Sequence, residues 1–589
     1  MPLNVQILDN VLKRLEDVYS PVAGCLFGVM YEGKVLVVGV GFELHKPGAK
    51  RPIWYDTTQQ LYPTGIDWCG VFTIELDINV QANSSVKECM KDIAVTNNPL
   101  FLRKDINTGC VNVYYSDGSH LKFCDFEIIK KSEFMEKFVY LRLVGMTYIC
   151  LPLALKPRHV ERAMEKISAR IAAGMFFQMG SSKIYLNRYT TKYDHSSLGT
   201  IFDNLRKEKD FRNNVEVLKV SALFPQGPFV TDDNKLYKPQ IYDYSYPQIL
   251  DKTENEKHYK FVMNLPFDAL CIAHRDREMD EVYELLIDTA ERTVFLCESY
   301  LLKYMRDPLK VHNIRAHHFF PDELGHALSL VFSTEQDDEN LVRIRRQVHA
   351  FLNLPLDRPY FRRANSLILI PSTYTTRPLM NVHLGVKPSG IRSDRSKSSL
   401  VQGAYYYYHY MMDGLNDSGW GCAYRSFQTI FSWFKLQGYT TMEIPTHWEI
   451  QECLVRLGDK PREFRGSKTW IGSTEVAYVL EIFVKSQSII LNVASGSEMG
   501  SLGQAIYEHF ELHGIPIMIG GGVLAHTILG IDIDEENGDT KFLVLDPHYT
   551  EDDELAKIQK KGFIGWKGLD FWDSRSFYNL CLPQRPRCY

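Results

Sequence analysis

An α+β chain of several domains is the fold class this sequence predicts, on three observations. Its 589 residues are too many for one hydrophobic core, given domains of roughly 100–200 residues. Short apolar runs of strand period dominate the first part, and two longer stretches of helical period come after them. Near residue 385 a stretch rich in Ser, Arg, Lys, Gly and Pro interrupts the mixture, and a helix-then-hairpin pattern begins after it.

Composition is that of ordinary globular protein, with 45% hydrophobic, 12% aromatic and 24% charged residues, so each domain has material for a core. A formal net charge of -5 provides no general attraction to nucleic acid or acidic lipid, and no nucleic-acid partner is expected. The first twenty residues carry Asp9, Glu16 and Asp17 and read as an amphipathic helix, not a signal peptide. The most apolar long stretch, Val139 to Leu155, is short for a bilayer span and contains Arg142, so no direct membrane insertion is expected. Twelve cysteines occur with no CxxC pair, which argues for reduced thiols in a cytoplasmic protein and against a structural zinc site.

Taken in order, CLFGVMYEGKVLVVGVGFEL reads as a hairpin turning at Glu32-Gly33. GVFTIELDINVQ and CVNVYYSDGSHLKFCDFEII read as further strands, the second turning at Asp117-Gly118. Helices are expected over about Pro157 to Ala173 and about Glu278 to Tyr304. These elements suggest a mixed α/β domain over 1–175, a second over 176–384, a linker over 385–400 and a C-terminal domain over 401–589.

The segment Asn416 to Ser426 places Cys422 directly after Gly419-Trp420-Gly421. Phe427, Ile430, Phe431 and Phe434 then fall on one helical stripe, and Gly438 offers a C-terminal stop. Cys422 thus belongs at the first turn of a buried helix, where unpaired N–H groups and the helix dipole favour a thiolate. The flanking glycines allow close approach of a substrate backbone, and the local N–H groups suit a developing oxyanion. The same pattern is also compatible with a structural cysteine at a helix start.

Downstream, HTILGIDID from His526 and KFLVLDPHY from Lys541 are strand-like runs around an Asn537-Gly538 turn. Asp546, Pro547 and His548 end the second run, and the two-residue period puts Asp546 and His548 on the same side. A thiol protease needs an imidazole base and a group to orient it, and this segment offers both. The hairpin also brings His526 opposite Pro547 and His548, as a rival base or a supporting group. Tyr405, Tyr406, Tyr407, Tyr408 and Tyr410 precede the cysteine; one phenol could serve an oxyanion, and spacing does not select it.

These residues resemble a known family. Val401-Gln402-Gly403, Tyr408-His409-Tyr410-Met411 and GWGCAYRSFQTI are similar to the ubiquitin-fold modifier 1-specific proteases. So are WIGS at 470–473, GGGVLAHT at 520–527, DPHY at 546–549, GWKG at 565–568, FW at 571–572 and YNLCLPQRP at 578–586. The resemblance covers nearly all of 400–589 in the family's order, and the long N-terminal region matches the family's larger form. It implies a papain-like fold with Cys422 as nucleophile, His548 as base, Asp546 as its orienter and Tyr410 as oxyanion donor. It implies cleavage after the modifier's C-terminal glycine, which matures the precursor and frees lysine-conjugated targets, without a cofactor or metal. Trp420, Gly421, Gly520, Gly521, Gly522 and His526 are the candidate substrate-binding residues. Trp420 is equally suited to anchoring the helix in the core.

Before residue 380 the likeness is confined to LPLDRP at 354–359 and RAHHF at 315–319. It implies target recruitment and docking at the endoplasmic reticulum through a membrane-bound partner. His317, His318 and His326 lack the HExxH order of helical zinc peptidases and are expected to be packing or surface residues. Two other functions compete. An autophagy-type cysteine protease shares GWGC-like and DPH-like motifs, without the GGGVLAHT and YNLCLPQRP runs. A scaffold would instead use the N-terminal region to hold targets, with proteolysis secondary.

Overall fold

The computed structural model describes residues 4–587, apart from 44–60, 77–83, 188–196, 224–228, 231–235, 238–247, 251–259, 305–313, 334–337, 372–377, 392–394 and positions 94, 119, 153–154, 183, 211–212 and 535. The chain forms two compact units: Met1–Leu354 with Ser366–Thr373, and Pro355–Asn365 with Tyr374–Tyr589. Both mix helices and strands, as the α+β expectation requires.

In the first unit, eight strands form a sheet in the order 121–124, 111–116, 100–105, 67–75, 22–31, 34–41, 4–8 and 126–129. Glu32 and Gly33 make the expected turn with positive φ, and the 111–116 and 121–124 strands flank the expected turn after Ser116. The N-terminus departs from the amphipathic-helix expectation. Asn4–Leu8 is a strand, parallel to 34–37 on one side and 126–129 on the other, and the helix is only Asp9–Glu16. Val5, Gln6, Ile7 and Leu8 are buried, and a strand enclosed on both sides needs no polar face. Of the expected GVFTIELDINVQ strand, residues beyond Leu76 lie outside the described residues.

The second sheet of this unit is organised by Phe138–Pro152, which pairs along its whole length with Lys260–His274 and in parallel with Glu216–Leu223. Backbone hydrogen bonds therefore join this strand to two strands beyond residue 175, and a boundary at 175 would cut through one sheet. Helix Pro157–Ala172 packs on helix Met279–Tyr304, close to the expected spans.

The second unit holds a seven-stranded antiparallel sheet in the order 488–493, 578–583, 517–521, 524–534, 539–545 and 564–567, with 397–400 also on 524–534. Helix Cys422–Leu436 lies against this sheet, and only Lys435 among its residues is not buried. Phe427, Ile430, Phe431 and Phe434 are fully inaccessible, each worth about 1.5–3 kcal/mol of burial. Gly438 ends the segment in the left-handed region, where a side chain is disfavoured (φ 81°). Lys397–Leu400, expected as linker, is instead a strand, and Val401 N–H continues the pairing to Leu529 O at 2.7 Å. The polar side chains of this strand gave no hydrophobic signal because it sits at the sheet margin.

Candidate active site

Cys422 opens its helix with Gly421 as the N-cap and no side chain capping the first turn. The free N–H groups there keep their positive potential for whatever charge develops at the sulfur. The helix is registered on the sheet by Ser426, whose hydroxyl lies 2.7 Å from Thr527 Oγ1 and donates to His526 O at 3.3 Å. This fixes the cysteine beside the 524–534 strand.

Across the hairpin, Thr527 pairs with Leu545, so the 546–548 segment leaves the sheet beside His526. His548 Nδ1 lies 2.5 Å from Asp546 Oδ1, and the same oxygen accepts from His548 N–H at 2.9 Å. This holds the ring with Nδ1 on the carboxylate. Nε2 is buried and has no hydrogen-bond partner among the described residues. Burial alone would lower the His548 pKa, but the Asp546 hydrogen bond and then the interaction with Cys422 raise it to about 9. Burial would likewise raise the Cys422 thiol, yet His548, the Ala525 backbone and Tyr410 bring it below its ordinary value. These opposed shifts both favour the charged forms, thiolate on Cys422 and imidazolium on His548.

Asp546 is held below the usual carboxylate range because its bond to His548 outweighs burial. The carboxylate and His548 are further fixed through the backbone: Tyr407 Oη donates to Asp546 O at 2.5 Å and Tyr410 N–H to Pro547 O at 2.9 Å. Tyr410 packs edge-on against the His548 ring, with centroids 5.2 Å apart. Burial first, and then Cys422, raise its phenol well above the ordinary value, so it stays a proton donor beside the sulfur.

His526 occupies a different place from the one its candidacy as base required. Its Nε2 is 4.0 Å from Asp546 Oδ2, its ring is 5.4 Å from that of His548, and burial pushes its pKa down to about 4. It stands behind the carboxylate as a neutral neighbour, and it does not line the cleft. His526, Asp546 and His548 also have the composition of a metal-ligand set, but the Nδ1–Oδ1 hydrogen bond already uses one atom from two of them.

A cleft of about 410 Å³ opens on Cys422, lined by Trp420, Trp470, Gly520, Gly521, Gly522 and Phe577 among others. Trp470, Val523, Leu524 and Phe577 are exposed at this mouth. The glycines differ in purpose. A Cβ on Gly521 would overlap the Tyr578 ring, whereas one on Gly520 would come no nearer than 3.4 Å to Asn579 Oδ1. Gly421 is not part of the cleft lining: its Cα side faces Asp417, whose Oδ2 would be 2.5 Å from a Cβ. Trp420 lines the cleft and also packs against Tyr424 and His447, a position open to either of its two expected roles.

Two supporting groups lie within the Tyr408–Met411 and Asn416–Ser426 segments, where nothing local marks their role. His409 is buried, with Nδ1 at 2.8 Å from Tyr410 O and 3.1 Å from Tyr549 O, and Nε2 at 2.7 Å from Asp553 Oδ1. It ties the tyrosine segment to the loop after His548. Asp417 is fully buried and accepts hydrogen bonds from Met411 N–H, Arg425 Nε and His447 Nε2. In the first unit, His318 is bound to Asp268 and Ser329 and His317 stacks on Phe332, as packing residues do.

Residues 396–581 match the model of peptidase family C78. Residues 1–134 match that of the insect UFM1-specific protease N-terminal MPN-like domain, and 242–374 that of the ubiquitin-fold modifier 1 specific protease 2 N-terminal region. The chain is 35% identical to a probable Ufm1-specific protease 2 of Drosophila melanogaster over 98% of each protein. It is 44% identical to the Ufm1-specific protease 2 of Homo sapiens, over 56% of this chain and 70% of that one. A crystal structure of UfSP from C. elegans superposes with a TM-score of 0.64 over the full length of both chains, at 23% identity.

Proposed function

Because this chain belongs to the Ufm1-specific protease 2 family, we propose that it cleaves after the C-terminal glycine of that modifier with Cys422 as nucleophile and His548 as base. One observation carries the assignment: a thiol at an uncapped helix start interacts with an imidazole whose other nitrogen is held by Asp546.

The Cys422 thiolate adds to the glycine carbonyl carbon, and the electron pair of the C=O bond moves to oxygen. Tyr410 O–H and backbone N–H groups at the helix start face this oxyanion, the kind of donor set that stabilises charge as it develops. The His548 imidazolium gives its Nε2 proton to the departing nitrogen, a lysine ε-amine in a conjugate or the next residue's amine in the precursor. The resulting thioester is attacked by a water whose proton returns to His548, releasing the modifier's carboxylate and restoring the pair. Gly520 to Gly522 and Trp420 form walls that suit a chain end without side chains, and the exposed Trp470, Val523, Leu524 and Phe577 suit an apolar patch on a protein substrate.

Hydrolysis of the modifier extended by a short peptide, set beside ubiquitin extended in the same way, tests this reading. Cleavage confined to the first substrate and abolished by Cys422→Ala is expected; cleavage of both, or of neither, would overturn it.

Recruitment of targets by the N-terminal region and docking at the endoplasmic reticulum through a membrane-bound partner are part of the same proposal. The match over 242–374 places the family's N-terminal region in this chain, the region to which recruitment is assigned. Among the described residues no helix is long and apolar enough to cross a membrane. Full-length protein should co-sediment with microsomes from cells and be released by carbonate wash; a distribution wholly in the supernatant would contradict the docking.

A further inference from the structure

Asp417 lies at the junction of three segments that the chemistry needs in register. Its Oδ1 accepts from Met411 N–H at 2.9 Å, immediately after Tyr410. Its Oδ2 accepts from Arg425 Nε at 2.7 Å, within the helix that Cys422 begins, and from His447 Nε2 at 3.1 Å. Its own carbonyl accepts Trp420 N–H at 3.2 Å and Gly421 N–H at 2.8 Å, which shapes the turn leading into Cys422. One residue therefore holds both the backbone behind the phenol and the backbone before the sulfur.

Around it the chain adopts conformations that need such support. Met411 and Asp413 sit in the left-handed region with φ of 65° and 59°, unusual for residues with side chains. Arg425 completes the frame: Nη2 donates to Met412 O at 2.7 Å, and Nη1 to Asp413 Oδ2 at 2.8 Å and Gln428 Oε1 at 3.0 Å. His447 is stacked on Tyr424 and set edge-on to Trp420. Burial lowers its pKa, so at neutral pH it is the uncharged ring that donates Nε2–H. Asp417, despite burial, is kept ionised by His447 and Arg425.

We propose that Asp417, with His447 and Arg425, is the set of positioning residues that holds Tyr410 against the turn before Cys422, and so supports oxyanion stabilisation without touching substrate. This rests on the assignment of Tyr410 as oxyanion donor. It predicts an effect that falls mainly on turnover, because against burial it is His548 that does most to lower the Cys422 pKa, with Tyr410 the smaller contributor.

The test compares full-length wild type, Asp417→Asn, His447→Phe and His447→Gln on the peptide-extended modifier, alongside alkylation of Cys422 by iodoacetamide across pH. Alkylation displaces iodide and forms no oxyanion, so it reports the thiolate alone. Asp417→Asn should lower kcat by about 10²-fold, the scale of one lost oxyanion donor, with KM and the alkylation profile close to wild type. His447→Phe should lower kcat in the same selective way and His447→Gln, which keeps an N–H donor, should restore most of it; this pair carries the test if Asp417→Asn does not fold. Unchanged kcat in a folded Asp417→Asn, equal activity of the two His447 variants, or kcat and alkylation falling together would overturn the proposal. A wild type that is alkylated at Cys422 yet leaves the modifier fusion uncut would overturn the functional reading beneath it.

Discussion

In the proposed mechanism, Asp546 decides which of two neighbouring histidines serves the thiol. By bonding Nδ1 of His548 it leaves Nε2 without another partner among the described residues, whereas His526 is 4.0 Å from its other oxygen and buried in its neutral form. His548→Ala should therefore lower kcat by about 10²–10⁴-fold, the usual worth of a general acid–base. His526→Gln should cost far less, and steady-state kinetics on the modifier fusion would show a reversed order if His526 were the base. The raised His548 pKa also has a sign. Its charged form persists until pH rises through about 9, so turnover, which needs the imidazolium to protonate the leaving amine, should fall above that pH. Alkylation of the thiolate should not fall there. Asp546→Asn removes the leading cause of the upward shift and should move the high-pH limb of kcat downward; a pH–rate profile with an unmoved limb would contradict this. The pair of Asp546 and His548, two residues apart on a strand end, is readable from sequence because their relation is local. Asp417 is not, since its partners lie at Met411, Arg425 and His447 on three different segments, and no periodic pattern links them.

Among elements, the helix at Cys422 and the hairpin ending in Asp546 are readable because each carries its own periodicity and turn chemistry. The N-terminal strand escapes the pattern because Asn4–Leu8 is short and runs directly into a helix, so its apolar residues blend into one helical-looking run. At the glycine strand end over 520–522 the space around each added Cβ differs. Gly521→Ala should destabilise the fold by about 1–3 kcal/mol, since its Cβ would overlap the Tyr578 ring. Gly520→Ala has ordinary space around its Cβ and should leave the melting temperature near wild type while weakening cleavage by narrowing the cleft. Thermal melts and kcat/KM measured on both variants check the contrast, and equal melting temperatures would contradict it.

At the scale of the molecule, the α+β class and the cysteine-protease function read from the sequence agree with the family that the chain belongs to. The unit boundaries are less readable, because compactness arises from pairings far apart in sequence. The strand at 397–400 pairs with 530–533, and Pro355–Asn365 joins the catalytic unit, where Arg362 donates to Tyr439 O at 2.9 Å and Tyr439 Oη to Asp357 O at 2.8 Å. A fragment of residues 355–589 should therefore melt well above one of 401–589, which lacks both; equal melting temperatures would show that neither segment supports the unit.

The central claim, that Cys422 and His548 act as a pair on the modifier's C-terminal glycine, is tested most directly by the modifier carrying an electrophilic trap at that glycine. Wild-type protein should form a covalent adduct that mass spectrometry places on Cys422. The adduct should be absent with Cys422→Ala and form far more slowly with His548→Ala. Folded wild-type protein that forms no adduct, or an adduct that forms at full rate without His548, would contradict it.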